Sequence, residues 1–322
     1  MGFLYSQFFV TPKLPKRSFA GETIIVTGSN IGLGKEAARH IASLGVGKLI
    51  LAVRSIQKGE EAKRDIVNTT KVDASTIEVW QLDLGSFESV KDFAKRASAL
   101  PRIDVLLENA GIAAEKFQLM EGHESTVTVN VISTFLLAFL MVPKLKEVSK
   151  QYNIQPRLVI VSSEVHGYTD LPERKADKIF EELDVQSRAD MGSRYPVSKL
   201  LEVLVVREIA PKLEGTGVIM NMLNPGLCHS GLSRDYTGLF SYFFEFMKFC
   251  IARRTDVGAR TLVCSAAAGG ESHGKYMHDG LVNEGEVSKF VKSEEGVKTR
   301  QRVWAELKDI LNKIEPGVTG NL

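Results

Sequence analysis

Cysteine is scarce in this chain: Cys228, Cys250 and Cys264 are the only three in 322 residues. They are too few and too scattered for a disulfide framework or a thiolate zinc site, which points to a reducing, cytoplasmic compartment. Metal-ligand spacing is missing as well. His123, His166, His229, His273 and His278 stand apart from one another with no carboxylate partner set, so no metal is expected. Nor is there an excess of one charge. Lysine and arginine number 41 against 39 acids, a net +2. That leaves no global electrostatic case for nucleic acid or for a membrane surface. The N-terminal apolar runs Phe3-Leu4-Tyr5 and Phe8-Phe9-Val10 are too short to span a bilayer. They also lack the basic leader and small-residue cleavage site of a signal peptide. Met1-Gly2 with Ser6 matches a myristoylation pattern, but one that is short and common. The simpler expectation is a tail over residues 1–20 that packs its aromatics onto the domain. No linker, repeat or low-complexity stretch interrupts residues 21–322, which read as one domain.

What is present is an ordinary globular composition, 44% hydrophobic and 25% charged, enough to bury a sizeable core. Near its start lies Thr23-Ile-Ile-Val-Thr-Gly-Ser-Asn-Ile-Gly-Leu-Gly34. An apolar strand runs into Thr27-Gly28, and a helical pattern opens at Gly32 and continues through Ala37, Ala38, Ile41 and Leu44. Strand, glycine turn and helix start together make a phosphate cradle. Glycine lets the backbone approach a pyrophosphate, and free N–H groups at the helix N-terminus face the negative charge. The spacing is TGxxxGxG rather than GxGxxG. Gly28, Asn30, Gly32, Leu33 and Gly34 are the candidate cofactor contacts of this turn.

Alternation continues downstream. Strands are expected at Lys48–Val53, Thr76–Leu82, Ile103–Leu107, Arg157–Ser162 and Val218–Leu223. Helices are expected at Ile56–Thr70, Phe87–Leu100, Val127–Val142, Pro196–Leu213 and Val297–Ile314. Such alternation implies an α/β fold, a doubly wound parallel sheet with helices on both faces. The Val127–Val142 helix is apolar nearly all round, suiting burial against the sheet and a partner subunit in a possible homodimer. Two stretches break the rhythm. Glu164–Gly192 is long, charged and irregular. Residues 229–254 contain Phe240, Tyr242, Phe243, Phe244, Phe246 and Phe249, and read as a lid over a substrate.

Tyr195-Pro-Val-Ser-Lys199 sets a phenol and an ammonium at i and i+4 on one helix face. A free tyrosine ionises near 10, too high for a proton shuttle at neutral pH. Lowering it by roughly 2–3 units takes about 3–4 kcal/mol. One cation at about 4 Å supplies ~4 kcal/mol at an effective dielectric near 20, so Lys199 is sufficient in magnitude.

Together, TGSNIGLG at 27–34, ENAG at 108–111, Asn130 in VTVNVISTF, VSS at 161–163, YPVSK at 195–199 and NPGLCHS at 224–230 resemble the short-chain dehydrogenase/reductases, in the family's order over roughly residues 20–280. The flavour is that of retinol-dehydrogenase-like members and of fungal carbonyl reductases of secondary metabolism. The resemblance implies a Rossmann fold and a catalytic set of Asn130, Ser163, Tyr195 and Lys199. Ser163, in preference to Ser162, would hydrogen-bond the substrate oxygen, and Tyr195 would be the general acid/base. Lys199 would hold the nicotinamide ribose, while Asn130 would fix a water leading to solvent. It also implies cofactor contacts from Asp83 at the adenine, from Asn109 and Gly111 beside the central strands, and from Pro225, Gly226 and Ser230 at the nicotinamide amide. Glu108 departs from the asparagine usual at its place.

An acid at the end of the second strand would accept from the ribose 2′-OH of NAD and repel a 2′-phosphate. Here that strand ends in Val53-Arg54, with Lys58 one turn on, and two cations without an acid favour NADP(H). The expectation is thus an NADPH-dependent reductase of a ketone or aldehyde on a hydrophobic small molecule. Membrane contact is not expected. A retinoid or steroid dehydrogenase at a membrane surface and a non-catalytic NADP-binding scaffold stay open as alternatives.

Overall fold

The computed structural model describes residues 3–229, 231, 248–249 and 251–322. At its centre is an eight-stranded sheet. Its strands in chain order are β1 (Thr23–Thr27), β2 (Lys48–Val53), β3 (Ile77–Gln81), β4 (Val105–Glu108), β5 (Arg157–Val161), β6 (Ile219–Asn224), β7 (Tyr276–His278) and β8 (Leu281–Val282). Across the sheet they lie in the order β8-β7-β6-β5-β4-β1-β2-β3, all parallel except β8, which runs antiparallel to β7. The chain therefore builds one half outward from β1 to β3, returns to the middle, and builds the other half from β4. Strand order reverses between β1 and β4, where their carboxyl ends leave a crevice.

Side chains alternate across the sheet, and both sets are buried. Ile25, Ile50, Leu106 and Leu158 point to one face, against α4 (Phe87–Ser98), α5 (Thr134–Tyr152), α6 (Met191–Ile209) and α8 (Glu294–Ile314). Ile24, Val26, Leu49, Leu51 and Val105 point to the other, against α2 (Gly32–Ser43), α3 (Ile56–Thr70) and α7 (Thr255–Ala267). Strands covered on both faces read as continuous apolar runs, which is why KLILAV and RLVIV are nearly all hydrophobic. Helix ends follow local chemistry. Ser55, Ser86 and Ser293 accept hydrogen bonds from the first turns of α3, α4 and α8. Lys71 and Asn153 close α3 and α5 in the left-handed region.

The apolar helix expected at Val127–Val142 runs longer, from Ser125 to Tyr152, and lies in the core although its length and composition would suit a bilayer. Its segment Thr128–Ser133 is wound as a π-turn that carries Asn130. Such turns cluster at functional sites because they re-aim one side chain. Pro196 is not the start of its helix: α6 begins at Met191, capped by Asp190. Glu164–Gly192 is broken into short helical turns at Glu164–Tyr168, Pro172–Lys175, Ile179–Leu183 and Gln186–Arg188.

The N-terminal tail departs from expectation. Phe3–Phe9 is a helix, α1, which buries its polar Ser6 and Gln7 and exposes Leu4, Tyr5, Phe8 and Phe9. Hydrogen bonding decides this orientation. Gln7 Nε2 donates to the carbonyls of Leu227 (2.9 Å) and Ile251 (3.0 Å), and Ser6 Oγ donates to Asp279 Oδ2 (2.7 Å). Arg253 donates to Ser6 Oγ and pairs with Asp279 at 2.7 Å, with both side chains in the pair buried. The lid aromatics Phe240 to Phe246, and Ser230, lie outside the described residues.

Breaking a buried ion pair leaves one charge uncompensated, at a cost of about 3–5 kcal/mol. Arg253→Met should therefore lower the unfolding free energy by that order, read from a urea titration, and raise proteolysis within residues 3–10. A variant as stable as the parent would show that α1 is held by other contacts.

Candidate active site

The crevice at the strand reversal is shaped by backbone contact. Thr27 Oγ1, at the end of β1, accepts from the N–H groups of Asn109 (3.0 Å) and Ala110 (2.9 Å), just past β4. Asn109 Nδ2 returns the bond to Thr27 O at 2.9 Å. This draws the two loops so close that side chains are shut out. A Cβ on Gly34 would sit 2.4 Å from Asn109 Nδ2 and 2.7 Å from Gly28 O, and one on Gly28 would meet Ala110 Cα at 2.9 Å. Gly28 and Gly32 also hold φ of +65° and +63°, which side-chain-bearing residues rarely adopt. The start of α2 has no side-chain cap, so its first N–H groups are left for an outside acceptor. In front of it opens a cleft of about 630 Å³ lined by Asn30, Gly32, Lys35, Arg254 and Thr255 among others. Uncapped amides, forced glycines and a cleft of this size fit a dinucleotide pyrophosphate.

Around this turn the other candidates take up distinct posts. Arg54 and Lys58 are exposed at the end of β2 and the start of α3. Arg54 makes no ion pair or side-chain hydrogen bond with another described residue. Leu33 packs against the core. Asp83, past the end of β3, folds back to accept from Gly85 N–H at 2.9 Å. Pro225 and Gly226 follow β6, where Gly226 (φ +76°) donates to Asn224 Oδ1 at 3.1 Å.

The chemical groups converge beyond β4, β5 and the first turns of α6. Tyr195 is half-buried, and its ring centre lies 5.6 Å from Lys199 Nζ. Lys199 is buried; its ammonium donates to Val161 O (2.8 Å) and to Glu202 Oε1 (2.7 Å). Gly111 stands so near that a Cβ there would lie 3.9 Å from Nζ and 3.2 Å from Asn130 Oδ1. Asn130 is wholly committed as a clamp. Its Oδ1 accepts from Ile112 N–H, and its Nδ2 donates to Ile112 O and to Ser198 Oγ, each at 2.9 Å. Ser198 in turn donates to Tyr195 O. The two serines after β5 separate cleanly. Ser162 is buried and donates to Lys199 O, whereas Ser163 is half-buried and accepts only a long bond from Val165 N–H. His166 fixes this corner: its Nδ1 donates to Ser163 O (2.8 Å) and its Nε2 accepts from Ser288 N–H (3.1 Å). That pair of bonds sets one neutral tautomer, and burial lowers its pKa further.

Comparison with known proteins bears on this arrangement. The family profile for short chain dehydrogenases matches residues 22–171. The short chain dehydrogenase/reductase dmxR8 of a Cryptosporiopsis species is 48% identical over the whole of both chains. The short-chain dehydrogenase anuD of Penicillium roqueforti is 45% identical over 99% of this chain and 84% of that protein. The chain belongs to the short-chain dehydrogenase/reductase family. A solved protein from Mycobacterium paratuberculosis, 27% identical, superposes over 93% of this chain and 96% of its own with a TM-score of 0.67. Short-chain dehydrogenases bind NAD(P) and interconvert CH–OH and C=O groups; solved relatives of lower identity carry NADP in one case and NADH in another.

This short-chain dehydrogenase has a buried carboxyl at the lysine, Glu202, that motif reading did not place there, and a second buried carboxyl, Glu108, at the end of β4. Glu202 is three residues beyond Lys199, on the same helix face, a spacing that could have been read as an ion pair. Glu108 ends β4, is 4% exposed, and among the described residues neither of its carboxyl oxygens has a hydrogen-bond partner. Burial pushes Glu202 up to about 7, with Lys199 pulling the other way. For Glu108, burial first and the charge of Glu202 second raise the pKa well above the ordinary carboxylate range.

A carboxyl raised in the folded state contributes stability that is complete below its unfolded value. That stability is lost as pH rises through the folded value. Glutamine at 108 does not titrate. The urea midpoint of Glu108→Gln should therefore gain on that of the parent as pH rises above the ordinary carboxylate range. A gap that stays constant over that rise would mean that Glu108 ionises normally.

Proposed function

We propose that this enzyme is an NADPH-dependent carbonyl reductase, converting a ketone or aldehyde on a hydrophobic small molecule to the alcohol. The observation that carries the reading is the convergence of Ser163, Tyr195 and Lys199 beside the uncapped glycine turn. When bound, the nicotinamide supplies the hydride. Ser163, its hydroxyl spared by the commitment of Ser162, and Tyr195 polarise the substrate oxygen. Tyr195 protonates that oxygen as charge develops on it, and the Lys199 ammonium favours the phenolate left behind. Asn130 and Ser198 hold the 109–112 turn and the start of α6 in register. Gly28, Asn30, Gly32 and Gly34 would receive the pyrophosphate, Asp83 the adenine, and Asn109, Gly111, Pro225 and Gly226 the nicotinamide half. Support for NADPH comes from Arg54 and Lys58, exposed cations where an acid would select NAD. The aromatic composition of 240–249 suits an apolar substrate, and kinship to fungal enzymes suits secondary-metabolite biosynthesis.

The exposed aromatic face of α1 favours a second reading, a retinoid- or steroid-type dehydrogenase at a membrane surface. Salt-resistant co-sedimentation with anionic liposomes, lost in Phe8→Ser/Phe9→Ser, would support it, and no pelleting would dismiss it.

Tyr195→Phe should abolish turnover while NADPH still binds, because only the proton path is removed; fluorescence titration beside a rate assay reads both. Wild-type-like turnover would remove Tyr195 from the mechanism. Arg54→Ala should weaken NADPH by about one to two orders of magnitude and leave NADH nearly unchanged, since a charge-assisted hydrogen bond is worth roughly 1.5–3 kcal/mol. Equal losses for both cofactors would return Arg54 to a structural role.

A further inference from the structure

We infer that Gln7, on the N-terminal helix α1, is a positioning residue for the cofactor: it holds the Pro225-Gly226-Leu227 turn in the arrangement that receives the nicotinamide half. The inference rests on the place given to Pro225 and Gly226 in the proposed function. Its geometry starts from one side-chain amide. Gln7 is buried, and its Nε2 donates to two backbone carbonyls far away in sequence, Leu227 O (2.9 Å) and Ile251 O (3.0 Å). A primary amide has two N–H donors, so the donor side of Gln7 is fully used here. Its Oε1 lies against Gly226, where a Cβ would come within 2.6 Å of it. A glycine at φ +76° has no side chain of its own to fix the turn. Gln7 supplies the wall that it lacks.

The stretch that Gln7 joins is itself paired. Arg253 N–H donates to Leu227 O at 2.8 Å, and His229 N–H donates to Arg253 O at 3.1 Å. The Arg253 side chain then reaches the tail again, donating to Ser6 Oγ (2.8 Å) and to Val10 O (3.2 Å). The turn after β6 is therefore held from two sides, by residues 251–253 and by α1, and Gln7 is where the two meet. Leu4, Tyr5, Phe8 and Phe9 stay exposed, so apolar burial is not what seats this helix. Polar bonds are.

A carbonyl that loses its donor inside the protein is destabilised until it reaches water or another partner. Without the glutamine the turn is drawn open, and binding must first close it. Apparent affinity then falls by the fraction of molecules that are closed. The adenine half, received by Arg54, Lys58 and Asp83 in the proposed function, lies on other elements and does not share that cost.

Gln7→Met keeps the length of the side chain and removes both donors, while Ser6 and Arg253 still seat α1. Hydrogen exchange at the Gly226 and Arg253 amides of the cofactor-free chain reads the turn itself. Calorimetric titration with NADPH and with adenosine 2′,5′-bisphosphate reads what the turn does, because the second ligand carries adenine and 2′-phosphate but no nicotinamide. Both amides should lose protection, NADPH should bind about fivefold more weakly or worse, and the bisphosphate should bind as it does to the parent. A role in general stability would weaken both ligands alike or neither. Retained protection overturns the inference, as does lost protection with equal losses, or none, for the two ligands. Should Gln7→Met not fold, Gln7→Asn keeps the donors on a side chain one methylene too short to reach both carbonyls, and must show the same selective loss. A parent that binds no NADPH removes the functional reading and this one together; retained protection in the variant removes this one alone.

Discussion

The approach of β1 to β4 at their carboxyl ends is the constraint on which the rest of the site depends. Thr27 Oγ1 gathers two N–H groups from the loop after β4, and Asn109 reaches back across the gap. The exchange ties the two loops together through three hydrogen bonds between Thr27 and Asn109–Ala110. Glycine is then required at 28 and 34 because the space where a Cβ would lie is already occupied. What remains outward-facing is the start of α2, which has no side-chain cap. An anion-binding surface is thus the leftover of a packing problem solved at the strand ends.

The same ENAG loop connects this surface to the proton-handling groups. Gly111 lies against Asn130, Asn130 clamps Ile112 and Ser198, and Ser198 binds the carbonyl of Tyr195. A π-turn puts Asn130 into that position, where regular α-helix would rotate it elsewhere. Distance between cofactor cradle and tyrosine is thereby set through a short chain of buried hydrogen bonds with few free rotations. His166 performs the corresponding task for Ser163, tying its carbonyl to the Ser288 backbone.

Much of this was readable in the residue order. Two-faced burial makes each parallel strand a continuous apolar run, so β1 to β6 could be placed within one or two residues of where they lie. TGSNIGLG, ENAG, VSS and YPVSK fall at the carboxyl ends of β1, β4 and β5 and on α6, as the resemblance implied. The rest depended on tertiary partners that no local pattern reveals. The strands β7 and β8 are three and two residues long, too short for a period to show. The helix α1 looked like apolar residues seeking a core, yet three of its polar bonds to Leu227, Ile251 and Asp279 turn the aromatics outward. The resemblance implies that Asn130 fixes a water; that its side-chain amide also clamps Ile112 and Ser198 shows only in the packed structure. Glu108 is visible in the sequence as a departure from asparagine; that its carboxyl is buried and raised by burial and by the charge of Glu202 follows only once β4 and α6 are packed together.

That departure has a cost, and the cost is informative. An asparagine at the end of β4 could be buried there without ionising, whereas a glutamate there must be kept protonated against its own solution preference. Buried carboxyls without partners are expensive, and the surrounding core, with its apolar strands and two covered faces, is large enough to tolerate one. Strain of this kind is usually found where geometry is set by chemistry and not by folding. In this fold it sits at the end of β4, where the charge of Glu202 adds to the effect of burial. The sheet supplies a dry, rigid platform, and that dryness is the main cause that raises Glu108 and Glu202 above the ordinary carboxylate range. Fold and proton chemistry are therefore coupled through solvent exclusion: the core packed behind α6 sets the protonation of the carboxyls buried in it.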